Sequence, residues 1–255
     1  MSTEVAQHPL VLAAPEVGFP VTICVLAYGP HVGLSKRFLE SLYCNTDPQL
    51  FRLRAGLNEV EPATLDLFKS YVARHNNIDL FIEPKNRFKS PLMRRLFYER
   101  PLETEWMIWC DDDTHFTRAD WLHRLACNIA RHPNVSVWGD MRKVRLQKTD
   151  QELLDWMRAA TWHRSVSPLV ERDENGAEVV QLIFPVGGFW AARSQMLQVL
   201  DWPDPRLVQA HDDFIFGEAI RQNGFQLGPF KYGIAIDDAP RRNPQAPEVR
   251  RLIAP

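Results

Sequence analysis

The chain has 255 residues, 45% of them hydrophobic, and a net charge of −2. That length allows one large α/β domain or two small ones with a sizeable core, and the near-neutral balance argues against a strongly basic surface for duplex nucleic acid. Cys24, Cys44, Cys110 and Cys127 lack Cys-x-x-Cys spacing, so they read as thiols in a reducing compartment rather than a disulfide framework or zinc site. No apolar run approaches the roughly 18 residues of a membrane span, and no basic segment precedes an apolar core at the N-terminus. The expectation is a soluble, cytoplasmic protein with no stable membrane insertion.

Residues 1–19 mix Pro9, Pro15 and Gly18 with small apolar residues and read as an irregular arm. The run 21–27 is continuously apolar, as in a strand buried on both faces, and Tyr28-Gly29-Pro30 closes it. Leu34, Phe38, Leu39 and Leu42 then recur at helical spacing. A second strand is expected over 51–57, ending at Asn58-Glu59, followed by a helix marked by Leu65, Phe68 and Val72. A third strand over 78–82 leads through a polar stretch to a helix with Leu92, Met93, Leu96 and Phe97. The run from Trp106 is a fourth buried strand, and Trp121, Leu122, Leu125 and Ile129 mark the next helix, which Thr117 and Asp120 are placed to cap. Strands alternating with helices imply βαβ units and a mainly parallel central sheet flanked by helices.

The second half is less regular. Short strands are expected at 135–138 and 143–147, a helix around 153–157, and a turn at 173–176 feeding a hairpin strand over 179–184. A short helix over 194–200, a helix from Asp212 stopping at Gly224, and a strand over 232–236 complete the pattern, before a Pro- and Arg-rich tail.

The fourth strand ends in three adjacent carboxylates, Asp111, Asp112 and Asp113. In open α/β sheets ligands bind at the carboxyl ends of strands, where loops converge on a crevice. Three acids at one spot repel one another, so a cation that offsets their charge is expected. Carboxylate oxygens suit Mn²⁺ or Mg²⁺, which take one or two protein carboxylates and complete their shell with water and phosphate oxygens.

Four stretches, in order, resemble the inverting glycosyltransferases of the GT-A fold, in the large family 2 group. Residues 21–46 are similar to that family's opening strand, nucleotide-contacting loop and first helix; Asp111-Asp-Asp113 resembles its Asp-x-Asp motif, followed by Phe116 and Asp120-Trp-Leu122. Gly187-Gly188 with Arg193 is similar to its acceptor-side glycine segment, and Asp212-Asp213 to the Glu-Asp pair that opens its acceptor-side helix. The likeness covers roughly residues 20–230. It implies an α/β, Rossmann-like nucleotide-diphospho-sugar transferase fold. A single domain over 20–238 would have a nucleotide-binding half (20–130) and an acceptor-binding half (131–238), with a flexible tail over 239–255.

The implied activity is a metal-dependent hexosyltransferase, moving a sugar with inversion from a nucleotide-diphosphate sugar, expected to be a UDP-sugar, to an acceptor hydroxyl. On this likeness Asp113 holds Mn²⁺ or Mg²⁺, with Asp111 ligating directly or through water. The third ligand is open between His211, Asp237 and Asp238. The base is Asp213 or its neighbour Asp212, which could also simply cap its helix. Donor contacts fall to Ala27, Tyr28, Gly29, Asn58, Glu59, Asn86, Arg87, Lys89, Arg94, Asp111 and Asp112. Acceptor contacts fall to Gly187, Gly188, Phe189, Trp190 and Trp162, although core packing is the commoner fate of such aromatics. Arg241 and Arg242 either close over the diphosphate or belong to a disordered tail.

Three departures from the family pattern stand out. Asn58-Glu59 replaces the usual base-contacting Asp, which leaves the nucleotide base open; Asp212 replaces the Glu of its pair; and no His appears late in the chain. The acceptor is unknown, with nucleic acid neither implied nor excluded. The alternatives are a sugar-nucleotide nucleotidyltransferase, for which Tyr28-Gly-Pro-His-Val-Gly33 is a poor glycine-rich loop, and a non-catalytic binder of sugar nucleotides or glycans. A phosphatase of the haloacid-dehalogenase type would want Thr or Val where His115 stands.

Overall fold

A computed structural model of the chain describes residues 20–147, 151–209 and 211–237. The arm 1–19, Asp238 and the tail with Arg241 and Arg242 lie outside the described residues. The first half follows the expected alternation: β1 (Val21–Tyr28), α1 (Val32–Asn45), β2 (Phe51–Asn58), α2 (Pro62–Val72), β3 (Ile78–Glu83), α3 (Lys89–Tyr98) and β4 (Trp106–Asp111). Then come β5 (Thr114–Phe116), α4 (Trp121–Arg131), β6 (Val135–Leu146), α5 (Gln151–Arg158), β7 (Leu169–Arg172) and β8 (Glu178–Arg193). The chain closes with α6 (Ser194–Leu200), α7 (Asp212–Gln222), β9 (Gln226–Pro229) and β10 (Ile234–Ile236).

The main sheet runs β3-β2-β1-β4-β8-β6-β9, with β7 paired to β8. β1 is parallel to β2 and β4, and β8 is antiparallel to β4, β6 and β7. Strand β1 lies inside the sheet between β2 and β4, and its alternate residues feed opposite faces. Val21, Ile23, Val25 and Ala27 pack with residues of α1, α2 and α4; Cys24 and Leu26 pack with residues of α3, α6 and α7. Both faces are therefore covered, which is why the strand reads as an unbroken apolar run.

Arg54, in the middle of β2, is only 4% exposed. Its guanidinium donates to the carbonyls of Leu96 (2.7 Å), Arg100 (2.8 Å) and Pro101. These are acceptors at and beyond the end of α3, so both terminal nitrogens of a buried cation are met by backbone.

Four local expectations are corrected. Residues 135–147 do not form two strands: β6 is one twelve-residue strand that bends at a register shift between Gly139 and Met141. The hairpin strand over 179–184 and the glycine segment after it are one sixteen-residue strand, β8. Its first part pairs with β6 and β7 and its last part with β4, a long-range pairing that local periodicity does not carry. Strands β5 and β9 were not expected; each is only three or four residues long and is stabilised by its partner strand. Asp120 precedes α4 without capping it, its carboxylate being held by Arg124 (3.2 Å) and Tyr232 (3.2 Å).

Candidate active site

The acidic run opens into a turn because β4 ends at Asp111 and β5 begins at Thr114 in a separate two-stranded sheet with β10, so Asp112 and Asp113 occupy the corner. The last pair between β4 and β8 is Cys110 with Phe189. Register alone then brings Gly188 and Gly187 beside the acids. The Thr114 hydroxyl donates to the Gly188 carbonyl and fastens the corner to β8.

Helix α7 supplies the opposite wall. It lies close to β8 because Gly217 has no Cβ; one there would overlap the Ile183 carbonyl. This places the first turn of α7 over Gly187, whose N–H donates to Asp213 Oδ2 at 2.9 Å. A Cβ at Gly187 would run into the Asp213 carboxylate. Carboxylates at a helix N-terminus also gain from the helix dipole, which favours Asp212 and Asp213 there.

Asp111, Asp113, Asp212 and Asp213, with Lys89, Gly187, Gly188, Val186 and Ile236, enclose a hollow of about 350 Å³. The ammonium of Lys89 lies 3.4 Å from Asp111 Oδ2 and 3.1 Å from Asp212 Oδ2, bridging the walls. Burial works against this charge, but the carboxylates of Asp111, Asp212 and Asp213 outweigh it and hold the Lys89 pKa above its usual range. Trp109 Nε1 donates to Asp111 Oδ1 at 3.1 Å, which sets the orientation of that carboxylate. Burial raises the pKa of Asp213, and the charge of Asp212 raises it further. Lys89 pulls the other way, Asp111 adds a smaller rise, the Gly187 N–H opposes it, and the balance lies at about 7.

A stripe on α1 holds the acidic corner in place. Arg37 donates to the Asp113 carbonyl (3.3 Å) and to the Asp237 carboxylate (2.9 Å), while the Asp237 N–H donates to the same Asp113 carbonyl (3.0 Å). Ser41 accepts from the Phe116 N–H (3.1 Å), and Asn45 donates to the Phe116 carbonyl (3.0 Å). Sequence reading missed these three. Their signal was present: polar residues four apart occupy one helical face beside the apolar one.

The remaining expected site residues divide sharply. Tyr28 is 40% exposed at the end of β1, beside Gly29, whose φ of +66° turns the chain away; Ala27 is buried beneath them. Asn58 is buried, bonding Asn86 (3.0 Å) and the Arg87 N–H (2.9 Å), while Asn86 also accepts from the Phe88 N–H (2.7 Å). Asn58 and Asn86 thus tie β2 to the loop before α3. Glu59 turns the chain at φ +52°, and Arg87 pairs with Glu83 at 2.7 Å.

Several of the expected site residues lie away from the walls of this cavity. Arg94 is not at the cavity: it clasps the Asp201 and Pro203 carbonyls and the Asp201 carboxylate. Asp112 is 1% exposed and forms no part of the cavity wall. Trp162 and Trp190 are 2% and 3% exposed core residues, Trp190 lying against Trp109 and Phe216. Phe189 packs against Trp121 and Phe230 and lines a second hollow beside this one. The His211 ring rests on Phe214, 4.7 Å between centroids, and is not a cavity wall. Among the described residues, no three His, Cys, Asp or Glu side chains gather into an all-protein metal cage.

The donor set nonetheless fits a hard divalent cation of the kind that needs few protein ligands. Asp111 and Asp113 offer carboxylate oxygens, the hollow leaves room for water and phosphate, and the Lys89 ammonium already occupies a cation's place beside Asp111.

No protein-family model matches the chain, and no curated protein matches it. Solved structures do. The mannosyltransferase PcManGT from Pyrobaculum calidifontis, in complex with GDP-Man and Mn²⁺, superposes with a TM-score of 0.56 at 14% identity, covering 89% of this chain and 59% of its own. S. aureus TarS 1-349 in complex with UDP-GlcNAc gives 0.51 at 14% identity, covering 83% and 56%. GalNAc-T7 with UDP, GalNAc and Mn²⁺ gives 0.59 at 12% identity, covering 82% and 41%. The chain has the GT-A fold of these glycosyltransferases. It spans between 41% and 59% of their lengths. No helix among the described residues is long and apolar enough to cross a membrane.

Proposed function

We propose that the chain is a metal-dependent inverting glycosyltransferase that moves a sugar from a nucleotide-diphosphate sugar to an acceptor hydroxyl. The observation that carries this reading is the meeting of two acidic pairs across one hollow: Asp111 and Asp113 from the β4–β5 corner, Asp212 and Asp213 from the start of α7. Neighbours of the same fold whose structures contain GDP-Man with Mn²⁺, or UDP-GlcNAc, support it.

Asp113 and Asp111 would hold a divalent cation, which when bound offsets the negative charge that grows on the departing diphosphate. Asp213 accepts the proton of the acceptor hydroxyl. The acceptor oxygen forms its bond to the anomeric carbon, the bond from that carbon to the diphosphate oxygen breaks, and the electron pair leaves with the nucleoside diphosphate. One base and one displacement give inversion.

Of the two acids on α7, Asp213 suits the base. Asp212 is engaged by Lys89, whereas Asp213 is oriented by the Gly187 N–H and has a pKa of about 7, near the optimum for proton transfer at neutral pH. The half before α4 binds the donor, with exposed Tyr28 offering a ring for the base. The half after it positions the acceptor. A nucleotidyltransferase is disfavoured because only Gly29, Pro30 and His31 separate β1 from α1, too short a loop to wrap a triphosphate.

The test is thermal stabilisation by UDP, GDP and dTDP, each with Mn²⁺ and with EDTA. One nucleotide should raise the melting temperature only when metal is present, which names the donor base. The absence of any shift at saturating nucleotide and Mn²⁺ would refute the assignment.

A further inference from the structure

Next to the acidic hollow lies a second one of about 370 Å³, and Val186 and Ile236 border both. A molecule with its hydroxyl at Asp213 therefore extends past these two side chains into the second hollow. The floor there is apolar: Phe189 and Phe230 lie with ring centroids 6.2 Å apart. The edge is charged. Arg142 Nη2 and Lys231 Nζ approach the same oxygen, Asp140 Oδ2, at 3.2 and 3.0 Å. Two cations thus share one carboxylate, leaving a net charge of +1 (two positive, one negative).

The acidic hollow has the opposite sign. Fully ionised, its four carboxylates and the Lys89 ammonium sum to −3, and to −1 with a divalent cation on Asp111 and Asp113. An anionic molecule is repelled by the first hollow and attracted by the second, so the two fields orient it with its anion outward and its hydroxyl towards Asp213. The geometry points to an acceptor that carries an anionic group, a phosphomonoester or a carboxylate, which docks between Arg142 and Lys231 in competition with Asp140. This inference rests on the transferase reading of the acidic hollow.

Binding of glucose 6-phosphate, glucuronate and methyl glucoside to the full chain, measured by ligand-observed NMR at low salt without donor, tests it. The two anions should bind about tenfold more tightly than the neutral glucoside, and the pair of anions separates phosphate from carboxylate preference. Arg142→Gln with Lys231→Gln should erase the preference; both side chains are mostly exposed, so the fold is retained. Asp140→Asn should enlarge it several-fold by removing the competing carboxylate. Equal binding of charged and neutral probes, or a preference that survives the double substitution, overturns the inference. Nucleotide binding with Mn²⁺ reports separately on the transferase reading. If it persists while the anion preference is absent, only the acceptor inference falls; an anion preference without nucleotide binding sinks the transferase reading and reduces the second hollow to an anion site with no acceptor role.

Discussion

The two walls of the cavity are made by different kinds of chain. Asp111 and Asp113 are near neighbours in sequence, placed at the end of a buried strand and held from behind by α1. Gly187 and Asp213 are separated by 26 positions and meet through one hydrogen bond, made possible by a long antiparallel strand and a helix pressed close to it. A site built locally tolerates distant changes, whereas a site built across the fold depends on packing far from its chemistry.

The largest effect should separate the walls by function. Asp213→Asn, which keeps the shape of the side chain, should lower transfer by about 10²–10⁴-fold while nucleotide affinity with Mn²⁺ stays near the parent value. A parallel loss of nucleotide affinity would place Asp213 on the donor side. Trp162→Ala sharpens the distinction between aromatic residues of the core and those of the site. It should cost about 3–5 kcal/mol of stability in urea unfolding and leave nucleotide affinity of the folded protein unchanged. An unchanged stability would return Trp162 to the acceptor surface.

Asp113→Ala should abolish the metal-dependent part of nucleotide stabilisation, about 2.7 kcal/mol at a ligand concentration of 100 Kd. Metal and nucleotide binding as tight as in the parent would break the assignment of the donor wall. A smaller effect is expected from Gly187→Ala, about 1–3 kcal/mol of overpacking against Asp213, felt in transfer and stability rather than in nucleotide binding.

The pH dependence follows from Asp213, raised from 3.8 to about 7. At saturating donor the rate should fall with decreasing pH below about 7, because the base takes up a proton. For stability the sign is reversed. The native state binds this proton more tightly than the unfolded chain, so the contribution of Asp213 favours the fold in acid. It is lost as pH rises between 3.8 and about 7. Asp213→Asn should flatten that stretch of the stability profile, and a profile identical to the parent's would show that Asp213 titrates normally.

Much of the wall that carries Asp111 and Asp113 was legible in the sequence. The apolar run ending at Asp111 is buried on both faces, and a parallel strand of that kind exposes its ligands at its carboxyl end. Arg37, Ser41 and Asn45 were legible as a stripe but were not read, because attention to the apolar face of a helix passes over its polar one. The wall that carries Gly187 and Asp213 was read as motifs without their geometry. Trp190 lies two residues beyond Gly188 in sequence, yet β8 carries it further into the sheet, where it pairs with Trp109 of β4 and packs into the core.

The sequence by itself determined the alternation of buried strands and amphipathic helices, and with it the edge where the acids gather. Hydrophobic periodicity is local and reports burial directly. Tertiary structure alone decided that Lys89 bridges Asp111 and Asp212, that Arg94 clasps Asp201 and Trp162 is buried, and that Gly187 donates to the carboxylate of Asp213. Those outcomes depend on strand register and on how closely a helix can approach a sheet, and neither quantity is written in the spacing of residues along the chain.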